Sequence, residues 1–449
     1  MDDRHRFVDQ MTERFRRDLE AGIDALEADG STATMEQIEA LVEEIKTKLG
    51  RELEQGILDR QPDERANHAP CPGCGGQARF HSVSERRLLS WHGEPALSRR
   101  WYRCACGHGF SPLDRRLGLD RGATTPRLRQ QLSEWAASRT FQQVACDLRS
   151  SRGLEIGEST VERIAVACGE RLREQSKRAG ERYEAGDLPE PFHRPRTLYL
   201  SMDGVYAPLR DRWKKDGSVG ELACRGGECK VGMAYEIVLD RKGHPRVAWR
   251  EYTATFQDIH AFRPQMAALA HRCGAETAER LVFLADTLAC NWTLAADYFP
   301  DAVQIVDWRH AVEHLETVQV DFFGDAEPGQ RWLAARKDEL WEGQAAEVAA
   351  AILDLPVLPQ ETEEQAETRR REAEYFRSNR DRMRYHEFRE AGYQIGTGVM
   401  EASCRTVVNQ RLDCSGMHWR QETADSVVAL RATMLSTTRP VPRSYCFTA

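Results

Sequence analysis

The sequence predicts an α+β protein of several domains, because helical and strand-like patterns occupy different parts of the chain. Apolar residues recur at helical spacing over residues 1–60 and 119–180, whereas short unbroken apolar runs, typical of buried strands, lie between 196 and 307. At 449 residues the chain is long enough for two to four separate cores. The predicted regions are 1–66 (N-terminal helices), 67–118 (cysteine-rich β domain), 119–185 (helical module), 190–320 (first part of a mixed core), 321–384 (helical insertion), 385–436 (second part of the core) and 437–449 (tail).

Composition points to a cytoplasmic protein without a membrane partner. Apolar residues make up 41% of the chain and charged residues 30%. No apolar run approaches the roughly 20 residues that span a bilayer, and the N-terminal MDDRHRFVDQ lacks the apolar stretch of a signal peptide. In a reducing compartment the 13 cysteines are expected to be free or metal-bound rather than disulfide-paired.

The negative net charge of the chain does not exclude a nucleic-acid partner, because the charge is unevenly distributed. The chain as a whole carries −8, but residues 79–116 contain eight arginines against three acidic residues. Affinity for DNA depends on local basic surface, so the charge of the whole chain decides little.

The first 60 residues predict two helices. Thr34 followed by Gln37 is a capping box, and apolar residues follow it at spacings of three and four. Two interpretations remain open, a helical pair packed on the body of the protein and a pair that dimerises.

Cysteine spacing predicts a structural zinc site. Cys71-Pro-Gly-Cys74 precedes Cys104-Ala-Cys106, with arginine-rich alternating segments between the pairs, as in a zinc ribbon. The second pair is one residue short of the usual spacing, which leaves open whether Cys106 or His108 completes the site. A ribbon would present arginines to a phosphate backbone, or leave them on a solvated face. The candidate DNA contacts here are Arg86, Arg87, Arg99, Arg100 and Arg103.

The helical module has features of a helix-turn-helix. Thr140 with Gln143 and Ser159 with Glu162 are capping boxes that would start two helices joined by a short glycine-containing turn. The second helix would enter the major groove with Arg163 as its contact. A plain helical packing module is the alternative.

Three strand-like runs each stop at an aspartate. TLYLSM ends at Asp203, LVFLA at Asp286 and AVQIV at Asp307. In open α/β sheets functional groups gather off the ends of strands, although a single such aspartate is often only a turn or helix cap. We therefore expect a carboxylate cluster at one edge of a central sheet.

Residues 395–419 add a further carboxylate. The stretch begins with glycines and sets Glu401 in the first turn of a helix, followed by Arg405, Asn409, Gln410 and Arg411. Arg405 and Arg411 are candidate DNA contacts. Two aspartates and a glutamate suit Mg²⁺ or Mn²⁺, which assist phosphodiester chemistry. Glu401 alone could instead be a carboxylate that stabilises a helix terminus.

Several segments together resemble bacterial insertion-sequence transposases of the DDE type, closest to the ISKra family. They recur in order from about residue 70 to 435, and the stretch around Glu401 is the most specific. The similar segments are CPGCG, YRCACG, SPLDRRLGL, YLSMDGVYAP, CKVGMAYE, FLAD, FPDAVQIVDWRHAVEHL, YFRSNRDRMRYHEFREAGYQIGTGVMEASCRTVVNQRL and SGMHW.

The resemblance implies an RNase H-like catalytic core interrupted by a helical insertion. By position Asp203, Asp286 and Glu401 would bind Mg²⁺ or Mn²⁺, and His310 would lie near the scissile phosphate, with Asp307 as an alternative ligand. The partners would be double-stranded DNA, both terminal inverted repeats and target, and a homodimer or higher oligomer. Because LADTLACNW and the short second knuckle depart from the family pattern, a domesticated DNA-binding protein is an alternative, and a metal-dependent nuclease without strand transfer is another.

Overall fold

The computed structural model describes residues 3–438 except 29, 31, 64, 120–121, 211–223, 325 and 357–360. The chain divides into two compact units, Met1–Ile164 and Ala165–Pro440, and the division falls within one helix. Most of the predicted tail, 439–449, lies outside the described residues.

The first unit begins with a helical hairpin, α1 (Asp3–Glu27) and α2 (Met35–Leu58). The predicted capping box at the start of α2 is confirmed. The Thr34 hydroxyl accepts from Gln37 N at 3.3 Å, and Thr34 N donates to the Gln37 side chain at 2.9 Å. Those two bonds satisfy backbone donors that a helix start leaves without partners.

A small antiparallel sheet follows. Its strands are β1 (His68–Pro70), β2 (Gln77–Arg87), β3 (Ala96–Arg103) and β4 (Gly109–Phe110), in that order. Ala69, Ala78, Tyr102 and Phe110 form its core. A short helix, α3 (Pro112–Arg116), closes a second cluster made of Leu88, Leu97, Leu113 and Leu119.

Three helices complete the module that was predicted to resemble a helix-turn-helix: α4 (Pro126–Ala136), α5 (Phe141–Arg152) and α6 (Glu158–Glu184). The Thr140–Gln143 capping box is confirmed, and Gly153 ends α5 in the left-handed region at φ 62°. The second predicted box is wrong. Because α6 already begins at Glu158 and Val161 N bonds to Gly157 O at 3.1 Å, Ser159 lies inside the helix.

The second unit is built on a five-stranded mixed sheet. Its strands are β5 (Thr197–Arg210), β6 (Cys224–Leu239), β7 (Pro245–Thr255), β8 (Arg280–Ala285) and β9 (Val303–Val306). The order is β7-β6-β5-β8-β9. β6 is antiparallel to both of its neighbours, β5 and β7, whereas β8 is parallel to β5 and β9 is parallel to β8.

Asp203 is not at the end of its strand, contrary to expectation. Cross-strand pairing continues from Asp203 opposite Val231 to Arg210 opposite Cys224, so β5 runs seven residues beyond the aspartate. Asp286 and Asp307, in contrast, directly follow β8 and β9 as predicted.

Several helices pack closely against the five-stranded sheet. They are α7 (Ile259–Arg272), α8 (Ala289–Tyr298) and α16 (Gln421–Leu435) together with the second half of α6. A Cβ at Gly232 would collide with Met266 on α7, and one at Gly169 would collide with backbone at Ser426 on α16. Glycine at these two positions lets the elements pack without intervening side chains.

The predicted insertion is helical throughout its described residues. After α9 (Trp308–Phe323) come α10 (Glu327–Trp341), α11 (Ala345–Leu353), α12 (Glu363–Asn379), a 3₁₀ turn at Arg380–Arg382 and α13 (Tyr385–Glu390). Trp308 meets Trp341 and Tyr385 edge to face, with ring centroids 5.4 and 4.8 Å apart. Trp341 is thus engaged in packing.

The remaining elements lead into α16. They are α14 (Gly398–Cys404), a π-helical turn at Arg405–Asn409 and α15 (Gln410–Leu412). None of the helices among the described residues has the length and apolarity needed to cross a membrane.

Candidate functional site

Asp203 and Glu401 line one cleft of the second unit. Asp203 is half-buried in β5, where Oδ1 accepts from Gly204 N at 2.7 Å. Cys404 Sγ lies 3.7 Å from Asp203 Oδ2, and Cys404 is three residues after Glu401 on α14. Arg405, Asn409, Gln410 and Asp413 complete the polar lining of this cleft. The structure therefore brings the first predicted aspartate and the predicted glutamate together.

Asp286 lies at the end of the neighbouring strand, β8. Its Oδ1 accepts from Leu288 N at 3.3 Å and from the side-chain amide of Asn291. Burial raises the pKa of Asp286 above its usual range, and the negative charge of Asp203 acts in the same direction, while His310 opposes it. Asp203 and His310 are consequently each within electrostatic reach of Asp286.

Asn291 was missed by the sequence analysis. It is almost fully buried in α8, and its amide fixes the orientation of Asp286. Its position five residues after the aspartate at a helix start is the pattern that could have indicated it. His310, in the first turn of α9, has Nδ1 3.2 Å from Glu313 Oε2 and is partly exposed.

Asp307 joins two elements rather than offering a free carboxylate. It is only 1% exposed; Oδ1 accepts from His310 N at 2.8 Å, and Oδ2 accepts from Thr397 N. Trp308 N adds a bond to Ile395 O at 2.9 Å. Each oxygen accepts from one backbone donor, which gives Asp307 a structural role, and the alternative of Asp307 as a metal ligand stays a prediction. Its carboxylate ties the start of α9 to the segment that leads into Glu401.

Glu401 itself projects from an anchored helix. Its backbone N bonds to Thr397 O at 3.0 Å, and its side chain is exposed. On the inner side of α14, Ser403 Oγ lies 3.0 Å from Tyr252 Oη and 3.2 Å from Met233 Sδ. Burial, followed by the charges of Asp203 and Glu401, raises the pKa of the Cys404 thiol, which stays protonated and can donate to Asp203.

The π-helical turn after α14 is supported from behind by Arg431. Its guanidinium donates to Val407 O at 2.7 Å and to Thr406 O, two carbonyls of the turn. A π turn contains one residue more than an α turn and is frequent at functional sites. Here Arg405 and Asn409, at the two ends of the turn, and Gln410, next along the chain, line the cleft.

Arg411 does not face the cleft. It is 2% exposed, its guanidinium carbon lies 4.9 Å from the centre of the Trp419 ring, and burial lowers its pKa to about 10. The prediction that Arg411 contacts DNA is therefore contradicted, because the side chain fills a core position. Arg405, in contrast, is exposed and remains a candidate.

The four predicted zinc ligands converge in the first unit. All four sulfurs lie within 4.8 Å of one another, with Cys71–Cys106 at 3.7 Å and Cys74–Cys104 at 3.6 Å. Tetrahedral thiolates at a Zn–S distance of about 2.3 Å lie roughly 3.8 Å apart, so the spacing fits zinc. Cys106 rather than His108 completes the group, since the shortened knuckle still lets its sulfur reach the others.

The ligand atoms of the carboxylate site are more widely spaced. Among the residues that the structure describes, the four cysteines form the only group of three or more His, Cys, Asp or Glu ligands as compact as this. The oxygens of Asp203, Asp286 and Glu401 thus do not all lie within 4.8 Å of one another.

Two of the predicted DNA-binding arginines are structural. Arg86 donates to Asp114 Oδ2 at 2.7 Å and to Leu119 O, and Arg99 donates to both oxygens of Asp114 at 3.0 Å and to Ser84. A buried carboxylate between two guanidiniums explains both positions. Arg86 and Arg99 are therefore reassigned from DNA contacts to a buried ion-pair network.

The other arginines of the ribbon differ in exposure. Arg100 lies 3.8 Å over the Phe80 ring and is half-buried, whereas Arg87 and Arg103 are exposed. Arg103 also pairs across the sheet with Arg79, which is exposed and was not among the predicted contacts. Opposed like charges are unfavourable in a sheet unless an anion lies between them.

In the helical module Arg163 is exposed on α6.

Comparison with known proteins leaves the family open. No protein-family model matches the chain, and neither does any curated protein. A solved structure described as the Drosophila P element transposase strand transfer complex aligns with 71% of this chain and 80% of that chain, at 10% identity and a TM-score of 0.25. That score is too low to establish a common fold, so the resemblance to the ISKra family stays a prediction.

Proposed function

We propose that this protein is a DDE-type transposase that cleaves and joins DNA with the help of divalent cations. The observation that carries the proposal is the placement of Asp203 on β5, Asp286 directly after the adjacent parallel strand β8, and Glu401 on a helix that packs against β5. Asp286 is within electrostatic reach of Asp203, and Glu401 lies on the helix whose Cys404 contacts Asp203.

The core is assigned to the RNase H-like class. This assignment is supported by a mixed sheet in which three antiparallel strands are followed by two parallel ones, with the helical segment interposed before the strand-packed α14. The strand order also explains why the two aspartates are neighbours, since β5 and β8 pair directly.

The donor chemistry of the site fits Mg²⁺ or Mn²⁺. These ions favour a few carboxylate oxygens and keep positions for water and phosphate, and Asp203, Asp286 and Glu401 would be the protein ligands. When bound, such ions activate a water or 3′-hydroxyl and stabilise the leaving oxygen. The chain's own residues prepare the site: Asn291 orients Asp286, and Asp307 fixes the segment before Glu401.

His310 is assigned a contact near the scissile phosphate. Its proximity to Asp286 is reflected in its effect on the pKa of that carboxyl, and its Nδ1 is oriented by Glu313. A protonated His310 would stabilise a phosphate oxygen, and a neutral one could accept a proton.

DNA binding is assigned to exposed basic side chains and to the zinc ribbon. Phosphates would be contacted by Arg87, Arg100, Arg103, Arg163 and Arg405. Zn²⁺ held by the four cysteines would have a structural role, because four protein ligands leave no open position. The expected substrates are the terminal inverted repeats and a target duplex, handled by a homodimer or higher oligomer.

Substitution of Glu401 tests the proposal. The assay combines an uncleaved duplex that carries the sequence flanking the coding region, a supercoiled plasmid target and Mg²⁺ or Mn²⁺, so that cleavage and joining are both measured. Loss of a direct ligand should lower cleavage and joining by more than about 100-fold in Glu401→Gln, since even outer-shell changes cost 10–100-fold. Glu422→Gln is the matched control, because Glu422 is an exposed carboxylate in the first turn of α16.

The outcomes separate three functions. Equal activity of Glu401→Gln and the parent would refute the assignment of Glu401 as a metal ligand. A parent protein that binds DNA tightly but neither cleaves nor joins it would favour the domesticated DNA-binding protein. That alternative is suggested by Leu288, an exposed apolar residue two positions after Asp286. Cleavage without joined products would indicate a nuclease.

A further inference from the structure

We propose that two copies of this chain associate through one face of the α1–α2 hairpin, in antiparallel orientation. The inference rests on the packing and charge of the hairpin and does not depend on the proposed DNA chemistry.

In the part of the chain that the structure describes, the hairpin has an exposed apolar face. On α1 the exposed residues Phe15, Leu19 and Ile23 recur every fourth position, and on α2 Ile38 and Val42 do the same. Residues four apart lie on one side of a helix, so each helix carries a stripe. Of the whole of α1 only Met11 is buried, and no residue of α2 is.

Both stripes lie on the same side of the hairpin. Positions that face the partner helix are identified by close approach: a Cβ at Gly56 would collide with Phe7, and one at Gly22 with Leu41. The residue after each of these four positions is exposed and apolar, and successive residues are 100° apart around a helix. Because α1 and α2 run in opposite directions, these steps turn towards the same side. The four residues are Val8, Ile23, Val42 and Ile57.

The size of this face suits a dimer. A 25-residue helix is roughly 37 Å long, and two helices side by side are about 20 Å wide, which gives a face of roughly 700 Å². This footprint of the whole face, with its apolar stripes and charged margins, approaches the about 800 Å² per partner of a standard protein–protein interface.

The distribution of charge along the hairpin indicates that the partner bound to the apolar face is a second copy of the chain. Residues 18–45, at the tip, contain nine acidic residues and no basic one, whereas residues 3–17 and 46–60, at the base, contain nine basic and six acidic residues. The tip is thus strongly negative and the base positive. The hairpin as a whole carries a net charge of −6, which disfavours DNA and anionic membranes as partners, and its two ends are complementary in charge.

Self-complementarity also fixes the orientation. A two-fold axis perpendicular to the helices places each acidic tip over the basic base of the partner and pairs the apolar stripes between them. A parallel arrangement would instead oppose two tips of like charge. The antiparallel arrangement satisfies the apolar face and the charges together.

Removal of the stripe tests the surface. The full-length double variant Leu19→Ser, Val42→Ser should shift from twice the 51.1 kDa chain mass to the monomer in light scattering over a dilution series. Both residues are exposed, so helix content measured by circular dichroism should not change. Val320→Ser removes an equally exposed apolar side chain from α9 and should leave the mass unchanged.

Charge reversal tests the orientation. Glu20→Lys with Glu39→Lys reverses the tip, and Arg6→Glu with Arg60→Glu, at exposed positions far from the tip, reverses the base. Each double variant alone should dimerise at least about 10-fold more weakly at low salt, since several charges at the rim of the interface change from attractive to repulsive. An equimolar mixture of the two should recover dimers. A monomeric parent, an unchanged Leu19→Ser, Val42→Ser dimer or a mixture without recovery would overturn the proposal.

Discussion

Asp286 and Asp307 occupy the same position in the sequence pattern, directly after a buried strand, but they differ in what surrounds their oxygens. Asp307 has a backbone donor on each oxygen, whereas both donors to Asp286 reach the same oxygen, Oδ1. Sequence could predict the positions, since unbroken apolar runs locate the strands. It could not predict the difference in role, because the second donor at Asp307 comes from residue 397, 90 positions along the chain.

The raised pKa of Asp286 has a consequence for stability. A carboxyl whose pKa is higher in the folded than in the unfolded state binds more protons when the protein is folded. Its ionisation therefore lowers stability as pH rises from the unfolded pKa through the folded pKa. We predict that Asp286→Asn is more stable than the parent at pH 7 without divalent cations, and that the difference disappears below about pH 4. Thermal unfolding at both pH values measures this.

Added Mn²⁺ should reverse the order. The parent gains stability by binding the ion, whereas Asp286→Asn has lost a ligand and gains little. Asp301→Asn, a change of the same kind at an exposed aspartate between α8 and β9, is the control and should follow the parent throughout. A variant less stable than the parent at pH 7 without metal would contradict the assigned effect of burial.

Among the elements, apolar runs predicted where the strands lie but not how far they extend. β5 continues beyond Asp203 through Val205, Tyr206 and Leu209, where its residues are mostly half-buried and lose the simple pattern of a buried strand. That extension depends on pairing with β6. The periodicity of a single segment contains no information on the strand with which it pairs.

The π-helical turn was also beyond sequence prediction, because its carbonyls are satisfied from another helix. We predict that Arg431→Met costs roughly 2–4 kcal/mol of unfolding free energy, since one buried and one partly buried carbonyl lose a charged donor. Urea denaturation measures the loss, and Arg420→Met, at an exposed position before α16, is the matched control. A loss no larger than that of the control would show that the turn does not depend on Arg431.

On the scale of the molecule, composition separated seven regions, whereas the structure has two compact units. Changes in composition record where local patterns change, but a unit is defined by which segments share a core. Residues 321–384 illustrate the difference: their charge-dense sequence suggested a separate insertion, yet α10 and α12 pack on α9, which begins at the end of β9.

The two units should respond separately to loss of zinc. We predict one zinc per chain in the parent and none in Cys71→Ser, with a lower unfolding temperature for the first unit and an unchanged transition for the second, because the four cysteines lie wholly within the first. Metal analysis with calorimetry measures both. DNA binding should weaken in the same variant.

Cys146→Ser provides the comparison for that experiment. Cys146 is an exposed thiol on α5 in the same unit and outside the cysteine group, so its replacement should keep both the zinc and the two transitions. Native protein without zinc would refute the ribbon.

The π-helical turn has one more consequence, for the permitted length of the chain. It holds one residue more than an α-helical turn between Glu401 and Asn409. Deleting a single residue there would let the segment close into a regular helix and rotate everything after it by about 100°. Gln410 would then leave the cleft and the buried Arg411 would lose its place beside Trp419. Residues 405–409 should therefore tolerate many substitutions more readily than any change in their number.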